Sequence, residues 1–355
     1  MAENDIWTIR TALEWTVGYL GRKGDESPRL SAEWLLSEAC GLSRIGLYAD
    51  FDRPLSMGER DALCGFVTRR GRGEPLQYIT GEVGFRHIVV KVRPGVLIPR
   101  PETEVLVSEA LALLPAPPRR VAADSMPDDP SPVADGAREE GAPEEPEGGA
   151  RGAFGAKPAS GPAEGGEAPA DEGSPAKSEA PALLVADICT GSGCIACSLA
   201  SEHPLARVVA TDVAPEAVAL ARENAAALGL DERVYVVECD LGEGVDPALM
   251  GRLDLVVSNP PYVPSSVLAD IPREVTDFEP ALALDGGADG LDVLRRLLPW
   301  CACALKPGGG AAFELHETCL DEAARLAEEA GFEGARVVCD LAGRPRVLVI
   351  RKPVG

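Results

Sequence analysis

From residue 183 onward, short apolar runs alternate with amphipathic stretches, and this alternation constrains the fold more than any other feature of the chain. Leu183-Leu184-Val185-Ala186, Arg207-Val208-Val209-Ala210, Val234-Tyr235-Val236-Val237 and Leu253-Asp254-Leu255-Val256-Val257 read as the first four strands. A helix through Leu199 follows the first, and further helices are predicted over 215–228, 291–303 and 322–330. A fifth strand ends near Phe313-Glu314, and a terminal pair covers 335–339 and 346–350. Strands apolar on both faces need helices on both faces, so the order predicts an α/β fold with a parallel, doubly wound sheet. The last two strands are close enough to form an antiparallel hairpin at one edge.

Upstream the rhythm differs. Ile6, Ile9, Leu13 and Val17, then Leu30, Trp34 and Leu35, then Leu63, Phe66 and Val67 recur at helical spacing, with Pro28 opening the second helix and Gly41 and Gly71 as stops. Phe85, Ile88, Val90 and Val92 alternate as in a strand, a turn falls at Arg93-Pro94-Gly95, and Val96-Leu97-Ile98 completes a hairpin. Pro101 is placed to start a helix over 102–114. Residues 119–181 are built from Ala, Gly, Pro, Glu and Asp, with Phe154 as the single aromatic. Such a stretch buries too little apolar surface to offset chain entropy and is expected to be disordered, an insertion in a surface loop. The expected division is 1–80 helical domain, 81–100 linking hairpin, 101–115 first helix of the second domain, 116–181 acidic insertion and 182–355 core.

Composition excludes several classes. A formal charge of −23 argues against a surface that holds nucleic acid by neutralising phosphates. No apolar run approaches the ~18 residues of a membrane span, and the start, Met1-Ala2-Glu3-Asn4-Asp5, is acidic where a secretion signal is basic. Ten cysteines in 355 residues are too sparse for a disulfide scaffold, so the expected location is the reducing cytoplasm.

In open α/β sheets ligands sit beyond the carboxyl ends of the strands. There the chain places Asp187-Ile188-Cys189-Thr190-Gly191-Ser192-Gly193, a turn whose glycines let backbone approach a ligand and whose helix N-terminus offers free N–H groups. Asp212 ends the second strand, where a carboxylate accepts both hydroxyls of a ribose; Asp240, with Leu241 after it, ends the third, beside the place of an adenine ring. Three ligands compete. Gly191-x-Gly193-x-x-Ala196 with Asp212 fits a short dinucleotide fingerprint. Cys189, Cys194 and Cys197 reproduce a ferredoxin spacing, although Cys on a buried helix face also serves as a small apolar residue. An acid four residues before the first glycine suits S-adenosylmethionine, and here the resemblance to class I methyltransferases begins.

The fourth strand ends in Ser258-Asn259-Pro260-Pro261-Tyr262. The nitrogen of a planar amide or aromatic amine is a poor nucleophile because its lone pair is delocalised. The Asn259 side-chain oxygen and the Pro260 carbonyl can each accept one N–H of such a group, aim it at a methyl sulfonium and favour a more tetrahedral nitrogen. Pro260 and Pro261 stiffen the loop without needing an N–H, and Tyr262 offers a flat wall. Neither a metal nor a strong base is required, since the product can lose its proton after transfer.

Asn-Pro-Pro-Tyr also serves adenine-N6 methyltransferases, so the substrate must be read elsewhere. The chain resembles the bacterial release-factor glutamine methyltransferases (the HemK/PrmC type) in Arg72-Gly73-Glu74-Pro75-Leu76-Gln77-Tyr78-Ile79-Thr80-Gly81 and in Val96-Leu97-Ile98-Pro99-Arg100-Pro101-Glu102-Thr103-Glu104. It does so again in the turn at 187–193, in 259–262, in 279–291 and in the ending at 340–347. Ribosomal-protein glutamine methyltransferases differ at 99–104. The resemblance implies a class I, Rossmann-like fold with a mostly parallel seven-stranded sheet, and a helical N-terminal domain that grips the protein substrate. It implies S-adenosyl-L-methionine as methyl donor without metal, and class 1 peptide chain release factors as partners, methylated on the glutamine of their Gly-Gly-Gln loop. By position Asn259, Pro260, Pro261 and Tyr262 would hold the glutamine amide. Asp187, Cys189, Thr190, Gly191, Ser192, Gly193, Asp212, Asp240, Leu241 and Asn259 would form the donor site, with Arg100, Thr103 and Glu104 nearby. A monomer without nucleic acid or membrane is expected. Two departures stand out: Cys189 where many relatives have Gly, predicting a slightly tighter turn, and a segment at 314–319 lacking their usual Gly and Gln. His316, in that segment, reads as a partly exposed loop histidine.

Overall fold

The computed structural model describes residues 7–116, 181–268 and 271–355. The expected insertion and the extreme N-terminus therefore lie almost wholly outside the described residues.

The N-terminal region holds five helices: α1 (Ile9–Arg22), α2 (Pro28–Cys40), α3 (Arg44–Ala49), α4 (Met57–Arg70) and α5 (Leu76–Thr80). Reciprocal capping starts two of them, with Thr8 and Thr11 at α1 and Ser56 and Glu59 at α4. Pro28 opens α2, and Gly41, at φ +62°, ends it. Ile9, Leu13 and Leu20, four and seven residues apart on one face of α1, meet Leu35, Leu36, Leu63 and Val67 in one core. Each such side chain, fully buried, contributes about 1.5–3 kcal/mol. The short α3 and α5 carry too few turns to show a periodicity and were not foreseen.

The hairpin corrects its expected register. It pairs β1 (Glu82–Phe85) with β2 (Ile88–Lys91) and turns at Arg86-His87, where Arg86 sits at φ +51°. Its guanidinium bonds both oxygens of Glu202 at 2.5 and 2.7 Å. Val96-Leu97-Ile98 is not a strand. Val96 and Ile98 are apolar because their side chains are buried, on irregular backbone pinned where the Tyr78 hydroxyl donates to the Val96 carbonyl at 2.6 Å and the Ile98 N–H donates to Glu279 at 3.1 Å.

After α6 (Thr103–Leu113) the chain builds one seven-stranded sheet. The elements are β3 (Leu183–Ile188), α7 (Cys194–Glu202), β4 (Ala206–Asp212), α8 (Pro215–Ala227), β5 (Val234–Glu238), β6 (Leu253–Ser258), α9 (Arg273–Thr276), α10 (Asp292–Ala304), β7 (Leu305–Glu314), α11 (Leu320–Glu329), β8 (Glu333–Cys339) and β9 (Pro345–Arg351). The strand order is β5-β4-β3-β6-β7-β9-β8. The first five run parallel, while β9 is antiparallel to both β7 and β8. The terminal pair is thus the expected antiparallel hairpin, with β9 slotted between β7 and the edge strand β8. Leu106, Val107, Ile195 and Leu199 from α6 and α7 cover one face; Leu294, Leu297, Leu298 and Leu320 from α10 and α11 cover the other. The order reverses between β3 and β6, which opens a crevice at their carboxyl ends.

Candidate active site

A cleft of about 200 Å³ fills that crevice. Its floor is the turn after β3. Asp187 is fully buried beneath it: Oδ2 accepts from the Thr190 hydroxyl at 2.6 Å and the Ala196 N–H at 3.1 Å, while Oδ1 has no partner. Burial pushes this carboxyl up to about 7. Asp187 therefore braces the turn from below and does not line the cleft. Cys189 stands at φ +61°, a left-handed conformation that costs an L-residue about 1–2 kcal/mol, which explains why Gly suits the position. Gly193 also stays off the cleft; at φ +80° it starts α7, and a Cβ there would lie 3.1 Å from the Ala221 Cα. Cys189, Thr190, Gly191 and Ser192 line the cleft.

Asp212, the last residue of β4, accepts from the Gly191 N–H at 2.8 Å and the Ala214 N–H at 3.0 Å, and burial raises its pKa. Asp240 and Leu241 follow β5 into the same wall, and Asp240 pairs with Arg296 of α10 at 2.6 Å. At the end of β6 the Ser258 hydroxyl bonds the Ile188 carbonyl at 2.6 Å, tying the tetrapeptide to the turn after β3. Asn259 and Pro261 line the cleft; Pro260 is buried behind them. The Asn259 Nδ2 donates to the Thr103 Oγ1 at 3.3 Å. Tyr262 faces a smaller recess of about 60 Å³ shared with Leu97, Arg100, Asn259 and Ala283, and its hydroxyl donates to Glu314 at 3.0 Å.

Arg100 and Thr103 thus reach the cleft, but Glu104 does not: its carboxylate accepts from the Arg86 N–H at 3.1 Å on the hairpin side. Glu279 went without a role in the sequence. It is buried, pairs with Arg100 and accepts from the Ile98 N–H, so it fixes the strip that forms one wall. The signal was a lone acid ahead of Pro-Ala-Leu-Ala-Leu. His316 is half-buried, its Nδ1 lying 2.9 Å from the Thr318 hydroxyl. Burial pushes the thiols of Cys189, Cys194 and Cys197 up, away from the thiolate an iron–sulfur cluster needs. Among the described residues no His, Cys, Asp and Glu cluster could hold a metal.

The residues present fit an adenosyl donor. Gly191 lacks a Cβ where one would stand 3.9 Å from Val96, another wall of the cleft, so the main chain of the turn is open to close approach. Asp212 offers a half-buried carboxylate to hydroxyls, and Leu241, Ala214 and Ala217 supply an apolar slot.

Comparison with known proteins agrees. Residues 11–81 match the family described as PrmC N-terminal domain, and 177–272 match the methyltransferase small domain. The release factor glutamine methyltransferase of Geobacter sulfurreducens is 40% identical over 311 residues, covering 88% of this chain and 85% of that protein. The chain belongs to the release factor glutamine methyltransferase family. Its relatives of the same description from Rhodopirellula baltica, 33% identical over 99% of this chain and 100% of that one, and Moorella thermoacetica, 36% identical over 96% of each, span both the helical region and the sheet. The family resemblance and the class I methyltransferase fold expected from the motifs are borne out, and the dinucleotide and adenine-N6 alternatives are not favoured.

Proposed function

We propose that this chain transfers a methyl group from S-adenosyl-L-methionine to the side-chain amide nitrogen of the glutamine in the Gly-Gly-Gln loop of class 1 peptide chain release factors. One observation carries the proposal: Asn259 spends its NH2 group on Thr103, which leaves Oδ1 as a free acceptor at the tip of β6 beside the donor cleft. The donor would supply a methyl carbon already activated by a sulfonium, so neither a metal nor a strong base is called on.

The residues of the chain do the rest. Cys189 to Ser192 and Leu241 would hold the donor, and Asp212 its ribose hydroxyls. Asn259 Oδ1 and the Pro260 carbonyl each accept one N–H of the glutamine amide, which leaves the nitrogen lone pair aimed at the methyl. Acceptors placed where positive charge develops stabilise the transition state more than the ground state. The C–N bond forms as the S–C bond breaks, and the methylated nitrogen then loses a proton to water. The Tyr262 ring and Arg100 border the recess that would take the glutamine side chain. The helical region would grip the release factor. We read the chain as a cytoplasmic monomer that binds neither membrane nor nucleic acid, in keeping with its charge of −23.

Incubation with labelled donor and a release factor, followed by mass spectrometry of the loop peptide, tests the proposal. One added methyl on the loop glutamine is expected. Label on an oligonucleotide or a ribosomal protein, with none on the release factor, overturns it.

A further inference from the structure

We infer that Arg296 is a positioning residue for the base of the methyl donor: from α10 it grips one oxygen of Asp240, so that the other stands as a fixed acceptor and selects a 6-aminopurine over a 6-oxopurine. The inference rests on the reading of the cleft as the site of an adenosyl donor.

Helix and loop converge on the wall that follows β5. Val293, Arg296 and Trp300 stand at i, i+3 and i+7 of α10, on one face of the helix. Val293 and Arg296 line the cleft together with Asp240 and Leu241. The Arg296 Nη2 donates to Asp240 Oδ2 at 2.6 Å. Trp300 packs over Gly242, where a Cβ would overlap the indole ring. The loop is also locked from within: Leu241 holds φ +48°, a left-handed conformation unfavourable to an L-residue, and its carbonyl accepts from the Cys239 thiol at 3.3 Å. The main chain of Asp240 is thus set by its own loop, and only the rotation of its side chain is left to fix. Arg296 fixes it. Arg100, the other arginine lining the cleft among the described residues, borders the recess with Asn259 and Tyr262 and is engaged by Glu279.

Hydrogen-bond chemistry gives the pair its consequence. A carboxylate only accepts. A 6-aminopurine offers an N–H at C6, whereas a 6-oxopurine puts a carbonyl oxygen there and carries its N–H on N1. An unrestrained Asp240 would follow that proton from one position to the other by turning about its side-chain bonds. With Oδ2 tied to Arg296, Oδ1 has one place to stand, and a carbonyl opposite it sets two acceptors face to face with no proton between them. A hydrogen bond to a charged partner is worth about tenfold to a hundredfold in affinity, which is the discrimination a fixed acceptor supplies. The pair contributes little to folding: its side chains are 52% and 46% exposed, and ion pairs this open to water add little to stability. Its loss is therefore read in binding, apart from the fold.

The test measures, by isothermal titration on the full chain, the Kd of two unreactive ligands: S-adenosyl-L-homocysteine and S-inosyl-L-homocysteine, which differ only at C6 and N1 of the base. The parent is expected to favour the adenosyl ligand by about tenfold to a hundredfold. Arg296→Ala is expected to weaken adenosyl binding about fivefold or more and to bring the preference within about threefold, with a melting temperature close to that of the parent. Asp240→Asn, whose amide turns either an N–H or a carbonyl to the base, is expected to erase the preference too. Adding Arg296→Ala to it should change the preference no further, since the group that Arg296 positions is gone. A preference unchanged in Arg296→Ala overturns the inference and leaves the donor reading intact. Equal weakening of both ligands also overturns it, and makes Arg296 a support of the loop alone. A parent without preference overturns it as well, while a parent that binds neither ligand removes the donor reading itself. Should Arg296→Ala not fold, Arg296→Gln decides, since it removes the charge and keeps most of the side chain.

Discussion

A single acid under the turn after β3 shows how burial writes pH dependence into stability. Asp187 titrates near 7 in the folded chain instead of near its ordinary 3.8, because burial penalises the carboxylate and only Thr190 and the Ala196 N–H compensate. The folded state therefore holds this proton across a window in which the unfolded chain has lost it. The sign follows: stability from this group is full below about 4 and is lost as pH rises toward 7. Denaturant titrations across that range should show the decline, and Asp187→Asn should flatten it and leave the variant more stable by a few kcal/mol above pH 7. Asn259 makes the complementary case, in which chemistry and not stability is at stake. Asn259→Ala should lower kcat about 100-fold, by analogy with other lost transition-state hydrogen bonds, while melting temperature and donor affinity stay close to the parent.

At the scale of elements, the segment 281–291 matters most. Its backbone laces the residue just after the tetrapeptide in place: the Val263 N–H donates to the Leu284 carbonyl and the Gly286 N–H to the Val263 carbonyl, both at 2.9 Å. Gly290 closes the loop at φ +78°, and a Cβ there would overlap the Tyr262 carbonyl oxygen. Gly290→Ala should destabilise the protein by about 2 kcal/mol or more and depress turnover more than donor binding, which isothermal titration against steady-state rates would resolve. The sequence showed these glycines without their reason, because the main chain they avoid lies elsewhere along the polymer. The same logic sorts the other outcomes. The β-α alternation and the glycine turn after β3 were legible because their signals are contiguous: apolar runs buried on both faces, then glycines and an acid within seven residues. Val96-Leu97-Ile98 misled because three apolar residues look alike whether they pair in a ladder or fill a pocket. The roles of Glu279 and Glu314 were hidden because Arg100 lies 179 positions from the first and Tyr262 52 from the second.

Across the molecule, one arginine joins the helical region to the catalytic side. Arg70, the last residue of α4, bonds Asp25 at 2.7 Å, the Glu74 carbonyl at 3.0 Å and Glu274 of α9 at 2.7 Å. The Asp25 side chain is 4% exposed and that of Glu274 44% exposed. These magnitudes decide which half of the triad matters. Arg70→Ala strands a buried carboxylate and should cost about 3–5 kcal/mol; Glu274→Ala removes a solvated pair and should cost under about 1 kcal/mol. Thermal melts of the two variants should separate accordingly. Finally, the lacing of Val263 to Leu284 and Gly286 has an evolutionary corollary. A grip assembled from peptide units offers point mutation little to adjust, since every amino acid brings the same carbonyl. Divergence toward a new acceptor would come from lengthening or shortening that span, or from recasting its lip at Leu282, while the holder itself stays inherited whole.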